Sequence, residues 1–188
     1  MARAWLLLIY SVPTKPSRTR WHVWRELRRV GAILLRDGVA ILPETPTVRT
    51  WMRDVATGIA TGGGSAQVAR ARFSLTEERD ILRNFERDRS REYDEIVESC
   101  RGLLEHVDRE AEHAQFTFAE LAELEADLDK LRRWNTAAGE RDRFRSPSAA
   151  RAERVLARCE RKIARFADRT SRVEGAAAPR ATRKARGR

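Results

Sequence analysis

A pair of short apolar runs joined by Asp37-Gly38 constrains the fold of this chain more than any other feature of its sequence. The runs cover residues 32–35 and 39–42. Asp-Gly between two such runs is a strong signal for a β-hairpin, because glycine readily adopts the positive φ that a tight turn requires. We therefore interpret the two runs as neighbouring antiparallel strands.

The segments around this hairpin predict the rest of a small α+β domain. The run Ala4–Tyr10 is continuously apolar, as in a central strand covered on both faces, and apolar residues at helical spacing follow both this run and the hairpin. Strands are predicted at 4–10, 32–35, 39–42 and 66–73, and helices at 17–30 and 48–60. The order β-α-β-β-α-β with short connections predicts a ferredoxin-like domain over residues 1–74, with two helices on one face of an antiparallel sheet.

Residues 75–174 predict an all-α region, a helical hairpin or bundle of three or more helices. Two Ser/Thr-x-x-Glu sequences, which begin at Ser74 and Thr117, are capping boxes that start helices, and Ser146 followed by proline indicates a third start. After Thr117, leucines recur at steps of three and four residues, as in the seam of an antiparallel helix pair. These are Leu121, Leu124, Leu128 and Leu131. Residues 175–188 lack apolar anchors and predict a disordered basic tail.

The charge of the chain is unevenly distributed. The formal net charge is +10; residues 1–75 carry 12 basic and 4 acidic side chains, and residues 179–188 carry 5 basic and no acidic ones. A basic domain and a basic tail point to a polyanionic partner such as nucleic acid. The alternative is codon bias without function, since arginine outnumbers lysine 34 to 4, as a GC-rich genome would impose.

The first predicted helix carries a stripe of basic residues. Arg18, His22, Arg25 and Arg29 recur at intervals of four, three and four, which places them along one helix face. Guanidinium groups in such a row can bind consecutive phosphates. The alternative interpretation of the stripe is a solvated helix face without a ligand. The residues predicted to bind nucleic acid are Lys15, Arg18, Arg20, His22, Arg25, Arg28 and Arg29. A compact tetrahedral oxyanion is another possible ligand, held by Arg18 and Arg25.

The tryptophans Trp21, Trp24 and Trp51 lie at spacings that predict apolar helix faces. We interpret them as core or dimer contacts rather than as platforms for stacked bases. The basic stripe is then expected on the side of the first helix opposite Trp21 and Trp24.

No group of residues in the sequence predicts catalysis or a metal site. Glu110 and His113 match the Glu-x-x-His spacing of a di-metal helix bundle, but such a site needs a second copy. His106 near Cys100 is interpreted as a coincidence on a single helix. Serines occur mostly in caps and loops, and no Gly-x-Ser-x-Gly turn is present. We therefore expect a non-enzyme without catalytic residues, bound metal or cofactor.

The cysteines and the short apolar runs predict a cytoplasmic protein without a membrane partner. Cys100 and Cys159 are far apart in the sequence on apolar helix faces, where a cysteine is usually a small buried hydrophobe. The apolar run near the N-terminus is too short to span a membrane and is broken by Pro13 and Pro16.

Several short blocks carry a resemblance to a known family. They are Trp5–Ser11, Lys15–Arg18, Val23–Arg25, Gly31–Ala32 and Ile41–Pro43. In these blocks the sequence resembles the N-terminal domain of ChrB, and the resemblance continues through Gly63-Gly64 and into the helices around 131–134 and 142–144. Such a resemblance implies a regulator of chromate-resistance operons that binds DNA and responds to chromate.

The same blocks are similar to the ferredoxin-like module of PaaX repressors and to the small nuclease of CRISPR adaptation. PaaX repressors read DNA with a winged helix ahead of this module, and larger ChrB proteins continue into a second domain. In the nuclease the first strand ends in a metal-binding aspartate, whereas Tyr10 is followed here by Ser11. The carboxylate that would hold a divalent ion is therefore missing from this position.

These features together predict a DNA-binding transcriptional regulator associated with chromate resistance, which forms a homodimer and contacts phosphates through its first helix. Chromate or a similar oxyanion is the second expected partner. The alternative is a non-catalytic interaction or scaffold protein that uses its helical region, with incidental positive charge. Binding to the chain's own upstream DNA, compared with random DNA, distinguishes the two.

Overall fold

A computed structural model describes residues 3–13 and 17–177 of this 188-residue chain. The first six elements are β1 (Trp5–Ser11), α1 (Ser17–Arg29), β2 (Ile33–Arg36), β3 (Val39–Pro43), α2 (Pro46–Thr61) and β4 (Ser65–Ala71). Three long helices follow: α3 (Leu75–Glu112), α4 (Phe118–Arg141) and α5 (Ser148–Ala177). The predicted α+β class, with β-α-β-β-α-β followed by a helical region, is confirmed.

The sheet has four strands in the order β2-β3-β1-β4, and every neighbouring pair is antiparallel. Strand β1 is therefore an inner strand, as its continuous apolar sequence predicts. Its residues Trp5 and Leu8 are fully buried, whereas Ile9 near its other end is 43% exposed.

The predicted hairpin forms at Asp37-Gly38, between the paired residues Arg36 and Val39. Gly38 has a φ of +74°, and its carbonyl oxygen accepts a hydrogen bond from the Tyr10 N–H over 2.7 Å. The turn of the hairpin is thereby fixed to β1. The pairing of β2 with β3 shifts register between Leu34 and Arg36, as in a β-bulge.

The glycines after α2 serve the close packing of the chain. A Cβ atom on Gly64 would lie 2.4 Å from the carbonyl oxygen of Ser11 and 2.8 Å from a methyl carbon of Ile59. Only glycine fits where the backbone passes this close to β1. The Gly62–Gly64 triplet is a loop between α2 and β4, as predicted, rather than the start of a helix.

The chain divides into two compact units. Unit 1 contains the residues up to Ser90 together with Gly139–Ser146, and unit 2 contains Arg91–Ala138 and the residues from Pro147 onward. The boundary predicted between a domain at 1–74 and a helical region at 75–174 lies close to the start of α3, and α3 contributes residues to both units.

The core of unit 1 combines the sheet, the inner faces of α1 and α2, and the first turns of α3. Phe85 of α3 is 1% exposed and stacks on Trp5, with ring centroids 5.8 Å apart. Phe144, which follows α4, packs edge-on against Phe85 at 5.1 Å and lies 6.1 Å from Trp5. Part of the unit 1 core therefore comes from sequence far beyond β4.

The core of unit 2 is built from α3, α4 and α5. Leu124, Leu128 and Leu131 of α4 are buried, and Leu121 is partly buried, in agreement with the predicted leucine seam. Cys100 and Cys159 are fully buried, as predicted, and they also meet: the Cys159 thiol donates a hydrogen bond to the Cys100 carbonyl oxygen over 3.3 Å. The neighbouring Cys100 side chain, followed by burial, raises the pKa of the Cys159 thiol.

Helix α5 extends through Ala177, so the first three residues of the predicted tail are helical. Residues 178–188 lie outside the described residues, and the predicted disorder of the tail remains a prediction there. None of the helices within the described ranges is long and apolar enough to cross a membrane.

Candidate nucleic-acid interface

Helix α1 is anchored in unit 1 by a narrow apolar face. Val23 and Leu27 are each 3% exposed and belong to the unit 1 core, with Val30 partly buried beside them. Because residues three, four and seven apart share a helix face, burial of these positions turns the rest of the helix outward. The outward surface is therefore wide.

Most of the predicted nucleic-acid-binding residues lie on this outward surface. The exposed ones are Arg18, Arg20, His22, Arg25, Arg28 and Arg29. Lys15 lies outside the described residues. We call the exposed group, together with Trp21 and Trp24, the α1 basic face.

Trp21 and Trp24 are exposed, by 57% and 47%, which differs from the expected apolar face. The interpretation as core residues is wrong for these two, and their interpretation as dimer contacts stays a prediction. Trp51 is half-buried and packs against the unit 1 core. The physical reason is that the α1 residues packed in the unit 1 core are Val23 and Leu27, on another side of the helix. The tryptophans lie next to the arginine stripe rather than opposite it.

Two arginines of the α1 basic face stack on these tryptophans. The guanidinium carbon of Arg25 lies 4.4 Å from the ring centroid of Trp21, and that of Arg28 lies 5.1 Å from the ring centroid of Trp24. Each pair is four residues apart, so the helix itself brings the partners together. A guanidinium held over an indole ring can still donate N–H groups to an anion, and it loses less entropy when it binds one.

One further arginine of the face is neutralised within the helix. Arg29 donates hydrogen bonds to Glu26 over 2.8 and 3.2 Å. The hydrogen bond from Arg29 holds the pKa of the Glu26 carboxyl below its ordinary value. Across the described residues, no ion pair involves Arg18, Arg20, Arg25 or Arg28. Four guanidinium groups on one helix are thus available to an external anion.

Elsewhere in unit 1, two arginines share a single acid. Glu44 is paired with both Arg49 and Arg70, and the hydrogen bond from Arg70 is the main cause that lowers the pKa of Glu44. Helix α1 itself carries five arginines and one acid, Glu26.

The spacing of Arg18 and Arg25 bears on the choice between nucleic acid and a compact oxyanion. Seven residues of α-helix advance about 10 Å along the axis. This backbone spacing suits two anionic groups along an extended polymer. The binding of an oxyanion by Arg18 and Arg25 stays a prediction.

The exposure of the tryptophans gives a direct test by mutation. Trp21→Ala is expected to change the free energy of unfolding by less than about 1 kcal/mol, because surface substitutions have small effects. Leu27→Ala, on the same helix, should lower it by about 2–4 kcal/mol, because it leaves a cavity in the core. Urea unfolding followed by circular dichroism measures both. An equal loss for the two variants would contradict the outward position of Trp21.

Comparisons with known proteins agree with the resemblance seen in the sequence. A family model described as "Protein ChrB, N-terminal" matches residues 20–176. Protein ChrB of Cupriavidus metallidurans is 36% identical over 108 residues, which cover 56% of this chain and 33% of that protein. The match therefore spans about a third of the length of that relative. No solved structure matches the chain.

Proposed function

Because this chain belongs to the family of ChrB N-terminal domains, we propose that it is a DNA-binding transcriptional regulator associated with chromate resistance. In this proposal the sheet with α1 and α2 is a ferredoxin-like module that presents the α1 basic face to the phosphates of DNA. The chain acts in the cytoplasm as a homodimer and is not an enzyme. Chromate or a similar oxyanion is its proposed effector.

The single observation that carries the proposal is the pair of stacked arginines on α1. Arg25 lies over Trp21 and Arg28 over Trp24, so two guanidinium groups are held against exposed indole rings. Solvent-exposed tryptophan is unfavourable on an otherwise polar surface, so its presence here suggests a partner that covers it. A polyanion satisfies the arginines, and its sugars or bases can contact the indole edges.

The test is the salt dependence of DNA binding. Replacing Arg18, Arg25 and Arg28 by alanine should weaken binding to a duplex of the chain's own upstream region by about 100-fold, if each phosphate contact contributes about 1 kcal/mol. The slope of log K against log salt should fall in magnitude by about 3, since each contact contributes about 0.9. Fluorescence anisotropy over a salt series measures both quantities.

A matched control removes the same formal charge from arginines that are already paired. Arg83, Arg101 and Arg132 are exposed and pair with Asp80, Glu98 and Asp129 on their own helices. Their triple alanine variant should retain most of the affinity and the salt slope. If both triple variants lose affinity equally, net charge rather than α1 determines binding. If neither the upstream duplex nor a random duplex binds the wild-type chain, the interaction or scaffold role is favoured instead.

A further inference from the structure

A histidine and two glutamates lie close together in unit 2, near the end of α3 and the start of α4. His106 and Glu110 are four residues apart on α3 and therefore share a helix face, and Glu120 lies in the first turn of α4. The His106 Nε2 atom is 3.1 Å from Oε1 of Glu120 and 3.7 Å from Oε1 of Glu110. One ligand atom from each of the three side chains lies within 4.8 Å of the others.

These distances are close to those around a bound transition-metal ion. Two ligand atoms that are each about 2.1 Å from one ion lie roughly 3.0 to 3.4 Å apart in octahedral or tetrahedral geometry. Small rotations of the three side chains therefore suffice to place a single ion between them. One imidazole and two carboxylates suit Zn²⁺, Mn²⁺, Fe²⁺ or Co²⁺.

The orientation of Glu120 supports a role other than helix capping. At the start of α3 the capping box is closed: Ser74 Oγ accepts from the Glu77 N–H, and the Glu77 carboxylate accepts from the Ser74 N–H. At the start of α4 only half of the box forms. Thr117 Oγ1 accepts from the Glu120 N–H over 3.2 Å, while the Thr117 N–H bonds to the Gln115 carbonyl oxygen.

The Glu120 carboxylate is turned toward His106 instead. Its Oε1 atom is buried and lies 3.1 Å from His106 Nε2, within ion-pair distance, but within the part of the chain that the structure describes it accepts no hydrogen bond. Leaving a buried carboxylate oxygen without a donor is unfavourable, and a cation at this position would remove the penalty.

A cleft borders one member of this cluster, His106. His106 also lines a cleft of about 430 Å³ in unit 2, together with Arg109, Lys130 and Trp134. Water and small ions can therefore reach the imidazole, and three protein ligands leave further coordination positions for water or an anion.

We propose that His106, Glu110 and Glu120 bind one divalent first-row transition-metal ion, which ties the end of α3 to the start of α4. The site is separate from the α1 basic face and does not depend on DNA binding. Residues 179–188 contain no His, Cys, Asp or Glu, so the basic tail offers no competing ligands.

The experiment is a titration of the full chain, first treated with chelator, with Zn²⁺ and with Co²⁺. We expect one ion per chain by calorimetry and elemental analysis, a rise in the melting temperature, and visible Co²⁺ absorption typical of a coordinated ion. His106→Gln, Glu110→Gln and Glu120→Gln should each weaken Zn²⁺ binding by about 100-fold or more. The two glutamate variants preserve side-chain shape, and circular dichroism verifies that each variant is folded.

Neighbouring side chains outside the cluster serve as controls. Glu112 and His113 are exposed near the end of α3. Glu112→Gln and His113→Gln should bind Zn²⁺ with wild-type affinity. Substoichiometric binding to the wild type, or equal losses in the cluster and control variants, would overturn the proposed site.

Discussion

Replacing Phe85 by alanine is expected to lower the free energy of unfolding of unit 1 by about 3–5 kcal/mol. The ring is 1% exposed and lies between Trp5 and Phe144, with centroid distances of 5.8 and 5.1 Å. Its removal leaves a cavity under the inner strand β1 and breaks two aromatic contacts, each worth about 0.5–1.5 kcal/mol beyond burial. Native-state hydrogen exchange of the β1 and β3 amides measures the loss in unit 1 directly.

Phe118 provides the matched control, since it is the same residue type at 57% exposure in the first turn of α4. Phe118→Ala should change stability by less than about 1 kcal/mol. If Phe85→Ala left the protection of the β1 amides unchanged, α3 would contribute nothing to the core of unit 1. The sheet with α1 and α2 would then be stable by itself.

The elements of unit 1 could be predicted from the sequence because each has a local signal. The Asp37-Gly38 turn, the continuous apolar run of β1 and the helical spacing of Val23 and Leu27 are all visible over a few residues. The contribution of Phe85 and Phe144 could not be predicted in the same way. Helical periodicity shows that Phe85 is on an apolar face, but it does not identify the partner of that face.

The α1 basic face was predicted in part. The spacing of Arg18, His22, Arg25 and Arg29 predicted a basic stripe on one face of α1, but it placed Trp21 and Trp24 on the opposite side. The available signal was the pattern Trp-x-x-x-Arg, which occurs twice, at Trp21 and Trp24. Its i, i+4 spacing matches the cation–π pairs that the structure contains.

The cluster of His106, Glu110 and Glu120 in unit 2 could be predicted from the sequence only in part. His106 and Glu110 share a face of α3 at i, i+4 spacing, which the sequence reveals, but Glu120 comes from α4 and joins them only through tertiary structure. Its capping-box position also favoured a purely local role. The meeting of Cys100 with Cys159 was hidden for the same reason, since the two lie on different helices.

Replacing Gly38 by alanine is expected to lower the free energy of unfolding by about 3–4 kcal/mol. The positive φ of +74° costs an L-residue about 1–2 kcal/mol. A Cβ atom would also lie 2.4 Å from the carbonyl oxygen of Tyr10, so the turn must move away from β1. That movement breaks the 2.7 Å hydrogen bond from the Tyr10 N–H to Gly38, which leaves both groups without a partner at a further cost of about 1–3 kcal/mol.

At Gly58 the same substitution is expected to raise stability, because only helix propensity changes there. It lies inside α2, and a Cβ atom there would meet nothing within 4 Å. Gly58→Ala should therefore raise stability by about 0.5–1 kcal/mol. Urea unfolding measures the stability of the Gly38→Ala and Gly58→Ala variants, and hydrogen exchange of the Tyr10 amide reports whether its hydrogen bond to Gly38 is kept. A Gly38→Ala chain as stable as the Gly58→Ala chain would contradict both the positive φ at the turn and the docking of the turn on β1.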